Sequence, residues 1–130
     1  MMIHIGPEKI RLDEMISRSK RPDVGAIVTF LGCVRDDGIE GMEVESYEEM
    51  AQDELSKIER EALSRFDIRS VDIVHRVGRL SIGDDIVAIV CAASHRKAAF
   101  DGCSFVIDEL KLRSAIWKKE LLKDGGRWIP

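Results

Sequence analysis

The chain has 130 residues and a mass of 14.7 kDa, enough for one domain with a real core and no need of disulfides or a structural metal. Hydrophobic residues make up 45% and charged residues 34%, and the longest apolar run, Val24 to Leu31, falls far short of the roughly 20 residues of a membrane span. The net charge of −4 argues against nucleic acid as the main partner.

The N-terminus, Met1 to Pro7, carries no basic region leading into an apolar stretch, so no secretory signal is expected and a cytoplasmic location is. After a short first strand, Ile10, Met15 and Ile16 predict a helix from Pro7 to Ser19. Val24 to Val34 is rich in β-branched residues and predicts a long strand, followed by a polar, glycine-bearing loop from Arg35 to Gly41. From Met42 to Tyr47, Met42, Val44 and Ser46 alternate with Glu43, Glu45 and Tyr47, as in a strand with one wet face. Met50 to Phe66 is the clearest helix, because Ala51, Leu55, Ile58, Ala62 and Phe66 recur at helical spacing. Val71 to Val77 and Ile86 to Ala93 read as strands, separated by Gly78 and a turn around Gly83. Ala98 to Leu112 reads as another long helix, with Cys103, Ile107 and Leu110 on its inner stripe; Ser114 to Pro130 is less regular.

The order is therefore β-α-β-β-α-β-β-α plus a tail. Two neighbouring strand pairs have no helix between them, so they cannot both be parallel crossovers. The fold class this predicts is α+β: a mixed, mostly antiparallel sheet with helices packed on it, in a single domain over residues 1–130. No glycine-rich phosphate loop follows a strand, which excludes a dinucleotide-binding or P-loop domain.

Charge is unevenly spread. Residues 1–94 carry 12 Lys/Arg against 19 Asp/Glu, a net of −7, whereas residues 95–130 carry 8 against 5, a net of +3. A basic C-terminal third on an acidic chain suggests a local anion site; a solvated basic helix face is the alternative. Three polar clusters interrupt the apolar pattern at element ends. Arg35 follows the long strand, either snorkelling to solvent or presenting a fork to a phosphate or carboxylate. Ser94-His95-Arg96-Lys97 opens a helix, where Ser94 could be a plain N-cap or the group an anion site. Lys111 closes that helix and could simply offset its dipole. Lys118 follows Ile116-Trp117, an apolar anchor that could desolvate the ammonium and lower its pKa.

Cys33, Cys91 and Cys103 are odd in number, lack a CxxC pair and sit among apolar residues, so reduced core thiols are expected. The alternative makes Cys33, near Arg35, a reactive thiolate. His4, His75 and His95 have no ligand-pair spacing, so no metal site is expected.

Taken together, the segments resemble the large, catalytic subunit family of molybdopterin synthase. Gly25 to Arg35 resembles that family's GAxVxFxGxVR, and Tyr47-Glu48 with Met50-Ala51 its YExYxxMA. His75 to Gly83 resembles HRxGxLxxG, Ala93 to Phe100 resembles SAHRxxAF, and Leu110-Lys111 with Ile116 to Glu120 resembles LKxxxPIWKKE. Gly126-Arg127-Trp128 matches the closing motif. The resemblance implies the family's α/β hammerhead-type fold and a homodimer, each protomer binding a small ubiquitin-like sulfur-carrier subunit. The carrier's thiocarboxylate tail would enter a pocket and pass two sulfurs to cyclic pyranopterin monophosphate, with no metal or organic cofactor. By position, it implies substrate binding by Cys33, Val34 and Arg35, by His95 and Arg96 (from the neighbouring protomer in that family), and by Lys111, Lys118, Lys119 and Glu120. It makes Lys111 and Lys118 the catalytic pair. A non-catalytic module binding a Gly-Gly tail or a phosphate-bearing ligand remains the alternative. Ala115 stands where the family usually has proline, and the loop from Arg35 to Tyr47 is short. The sequence ends two residues after Trp128, where many relatives continue, so contacts from such a tail are expected to be missing or supplied otherwise.

Overall fold

The computed structural model describes residues 2–130. In chain order the elements are β1 (Ile3–Gly6), α1 (Leu12–Ser19), β2 (Ala26–Cys33), β3 (Gly41–Ser46), α2 (Glu48–Arg65) and β4 (Ile68–Arg76). They continue as β5 (Gly78–Leu80), β6 (Asp85–Ala93), α3 (Arg96–Arg113), β7 (Ile116–Leu122) and β8 (Gly125–Trp128). The first sheet has the order β1-β4-β6-β2, with β1 parallel to β4 and the other pairs antiparallel. Its central strand β6 is buried from Ile86 to Ala93, which requires an apolar residue at every position because both faces are covered. Ile89, Cys91 and Ala93 face a cluster with Leu55 and Ile58 of α2 and Cys103 and Val106 of α3. Ala88 and Val90 face Met15 of α1 on the opposite side. Helix α3 comes so close to the sheet that a Cβ on Gly102 would lie 3.1 Å from Cys91 Sγ and from Ile68 Cγ2. No helix among the described residues is long and apolar enough to cross a membrane.

The second sheet, β5-β3-β7-β8, is antiparallel throughout. Met42 and Val44 are buried while Glu45 is exposed, the alternation expected of β3. The α+β class and its mostly antiparallel pairing thus hold, in two sheets rather than one. Three expectations change. Helix α1 begins at Leu12, not Pro7, because the Gly6 carbonyl accepts from Val77 N–H at 3.0 Å and the Pro7 carbonyl from the Arg76 guanidinium at 3.2 Å. Those bonds hold residues 6 and 7 to the sheet edge. The stretch expected to be irregular is a β-hairpin whose first strand pairs with β3, Val44 opposite Lys118. Cys33 is exposed rather than a core thiol, whereas burial pushes Cys91 up to about 12 and Cys103 to about 11.

Candidate active site

Helix α3 ends against sheet one just where β7 enters sheet two, and the seam opens as a cleft of about 830 Å³. Its walls are largely apolar: Phe30, Ile89, Ile107, Leu110 and Ile116 among others. Polar groups enter from separate elements, Cys33 from β2, Glu54 from α2, His75 from β4, Lys111 and Arg113 from α3 and Lys118 from β7. Arg113 is held by Glu61 and by Glu109, the latter at 3.3 Å. Glu54 lies 3.5 Å from Lys57. Neither Lys111 nor Lys118 has a carboxylate partner among the described residues.

Lys118 follows Ile116, whose side chain packs against the core, so its own ammonium is carried inward on the same strand face. Burial, and then the charge of Lys111, hold its pKa below the ordinary lysine range. His75 is buried in β4, and its Nδ1 lies 2.9 Å from the Arg76 carbonyl oxygen. Burial pushes it down to about 4 against that hydrogen bond, with Lys118's charge adding to the fall. The ring is neutral at physiological pH.

Of the residues singled out in the sequence, Cys33, Lys111 and Lys118 meet in this cleft. The others lie elsewhere. Val34 is 2% exposed with its side chain in the core, and its N–H and C=O are taken by Asp84 and Gly83. Its side chain therefore has no route to a ligand. Arg35 is 83% exposed and paired with Asp37 at 3.0 Å. Lys119 lies over the Trp128 ring at 5.4 Å, and Glu120 accepts from Arg127 at 3.0 Å, so both are engaged within the β7–β8 hairpin. His95 and Arg96 are exposed at the start of α3, and Ser94 is not their cap, since its hydroxyl donates to the Asp23 carbonyl at 2.8 Å. At about 1.5 Å per residue, Arg96 stands roughly 22 Å along the helix from Lys111. Sequence reasoning passed over His75 and Glu54. The signal for His75 was a histidine inside a strand otherwise built for burial.

A two-sheet α+β domain whose apolar cleft holds two ammonium groups without carboxylate partners is of the class that receives an anionic substrate. Residues 5–113 match the family model described as MoaE protein. A molybdopterin synthase catalytic subunit from Pyrococcus abyssi is 39% identical over 127 residues, 95% of this chain and 86% of the relative. One from Pseudomonas aeruginosa is 48% identical over 110 residues, 82% of this chain and 73% of the relative. Among solved structures, molybdopterin synthase from Staphylococcus aureus superposes with a TM-score of 0.91 at 34% identity, covering 97% of this chain and 95% of that one. This chain belongs to the MoaE family.

Proposed function

We propose that this chain is the catalytic subunit of a molybdopterin synthase, a cytoplasmic sulfurtransferase of molybdenum cofactor biosynthesis. Its substrate is cyclic pyranopterin monophosphate, and its sulfur donor is the C-terminal thiocarboxylate of a small ubiquitin-like carrier subunit. Two transfers make the dithiolene of molybdopterin, with no metal or organic cofactor taking part. The observation that carries the reading is the convergence of Lys111 and Lys118, from different elements, in one apolar-walled cleft.

Each sulfur leaving the tail must be replaced on the acyl carbon by oxygen, so negative charge builds on the tail carbonyl during the exchange. Fixed ammonium groups in a water-poor cleft stabilise that charge without reorganising. Lys111, the more exposed of the pair, orients or activates the tail carbonyl; Lys118, deeper, works at the pterin side. Lys118's depressed pKa favours an enzyme over a binding module. A lysine desolvated in an apolar-walled cleft beside a second lysine is the environment that suits an amine to chemistry. His95 and Arg96 lie too far along α3 to serve the Lys111 of their own chain. They complete the substrate site across a homodimer, and one carrier on each protomer makes a heterotetramer.

Replacing Lys111 separates chemistry from docking. Lys111→Ala is expected to abolish conversion of the precursor by thiocarboxylated carrier while leaving carrier affinity nearly unchanged, because docking energy is spread over a protein surface. Lys111→Arg keeps the charge but not the amine's geometry, and should rescue little. Product formation with purified carrier, alongside calorimetry of carrier binding, decides it. Normal turnover of Lys111→Ala, or a defect confined to carrier binding, would make this lysine part of a docking patch.

A further inference from the structure

The roles given to Lys111 and Lys118 leave His75 of the cleft unused. His75 is 5% exposed on β4, opposite Val87 of β6, and both side chains line the cleft floor. Its Nδ1 sits 2.9 Å from the Arg76 carbonyl oxygen, a contact that requires Nδ1 to carry the proton. Nε2 then keeps its lone pair and can accept a hydrogen bond. The cleft is otherwise rich in donors: the Cys33 thiol, the two ammonium groups and the Arg113 guanidinium. The Glu54 carboxylate is drawn to Lys57. Lys118's charge is felt at His75 and Lys111's charge at Lys118, so the three groups lie within electrostatic reach in succession. Lys118's four flexible carbons let its ammonium move within the cleft that it and His75 both line.

We propose that His75 is a positioning residue for Lys118: its unprotonated Nε2, on the cleft floor, accepts a hydrogen bond from the ammonium in the substrate complex and aims it at the reacting atoms. A neutral acceptor suits this task. A carboxylate there would neutralise the charge that the cleft needs, and a charged imidazole would repel it. Burial keeps the ring neutral down to about pH 4, so the acceptor is present wherever the enzyme works.

The inference rests on the reading of Lys118 given above, and the experiment tells the two apart. Steady-state kcat and KM for the precursor are measured in the complex with thiocarboxylated carrier. The proteins are wild type, Lys118→Ala, His75→Met, His75→Gln and the double variant Lys118→Ala/His75→Met. His75→Met keeps the bulk and removes the acceptor; His75→Gln restores one. The expected pattern is a kcat lowered about 10-fold or more in His75→Met with KM little changed, the scale of a misplaced catalytic group. His75→Gln should recover most of it, and His75→Met should cost almost nothing when Lys118 is already alanine. Normal turnover of Lys118→Ala would sink the reading of the cleft itself. Impaired Lys118→Ala with an active His75→Met, equal damage from Met and Gln, or equal cost with and without Lys118 would overturn the positioning role alone. A second measurement needs no His75 variant to fold. The chain has 3 histidines, so selective ¹⁵N-histidine labelling resolves each ring. In the substrate complex His75 should show the Nδ1–H tautomer with an Nε2 resonance that moves on Lys118→Ala; a resonance that stays put rejects the contact.

Discussion

Cys33 shows how far one side chain's chemistry depends on its neighbours. Two residues before an arginine, it invites a thiolate reading. The bulge at Gly32/Cys33 and the exit of the chain from the sheet instead send Arg35 into solvent, where it pairs with Asp37. The thiol meets Asp85, its Sγ 3.6 Å from the carboxylate, and partial loss of water followed by that hydrogen bond and charge pushes it up from its ordinary value. A thiol that stays protonated is a poor nucleophile. Cys33→Ala is therefore expected to retain sulfur transfer, measured as product formation; complete loss with an intact fold would restore the thiolate. His75 yields a prediction about stability. Its ring titrates near 6.5 when unfolded and at about 4 in the fold, so between those values the unfolded chain binds more protons. Stability is lost as pH falls through that window, by on the order of 3 kcal/mol once the folded pKa is passed, and the neutral ring incurs no such penalty at pH 7. Urea unfolding at pH 7 and pH 4 should show a smaller acid loss in His75→Gln than in wild type, other groups cancelling between the two proteins. An identical loss would mean that the buried ring is already charged near neutrality.

At the scale of elements, the junction between α3 and β7 governs the site, since Lys111 lies on one side of it and Lys118 on the other. The chain turns there through Ala115 at φ 56°, a left-handed conformation outside the range of proline, whose φ stays near −65°. The Ala115 carbonyl also accepts from Tyr47 N–H at 3.2 Å, tying the corner to the start of α2. Holding a Cβ in that region costs roughly 1 kcal/mol. Ala115→Gly should stabilise the protein by up to about that amount, and Ala115→Pro should destabilise it by more, both read from denaturant midpoints. A Gly variant less stable than wild type would show that the corner is not strained. The helices here were legible beforehand because their period is local: Ala51, Leu55, Ile58 and Ala62 mark the buried face of α2. Its start moved to Glu48, where two glutamates favour the positive end of the helix dipole, and its end drew back to Arg65, with Phe66 as the C-cap. The β7–β8 hairpin was not legible. Its strand mixes Trp, Lys and Glu because Lys118 faces the cleft while Lys119 and Glu120 are engaged with Trp128 and Arg127 of β8, a pattern with no single periodicity. The Asp124-Gly125 pair at the turn was the one signal that could have revealed it.

At the scale of the whole molecule, the separation of Arg96 from Lys111 along α3 makes a single protomer insufficient for the proposed site. Sedimentation at micromolar concentration should find a dimer, and a mixed dimer of Arg96→Ala with Lys111→Ala chains should retain activity at the one site holding both native residues. A monomer unchanged by carrier would reject the shared site. The sequence by itself determined the α+β class, the helices, the fully apolar central strand and the positions of the two lysines. Those follow from periodicity and residue chemistry, which act between near neighbours. Only the tertiary structure decided that Lys118 reaches the cleft while Lys119 and Glu120 do not, that Val34 belongs to the core, and that His75 lines the same cleft as the lysine. Lys118, Lys119 and His75 owe their facing to strand register, where a shift of one residue reverses every side chain, and register is set by partners such as Val44 and Val87, distant in sequence; Glu120 shares the face of Lys118 but is taken by Arg127, and Val34 lies just past the end of β2.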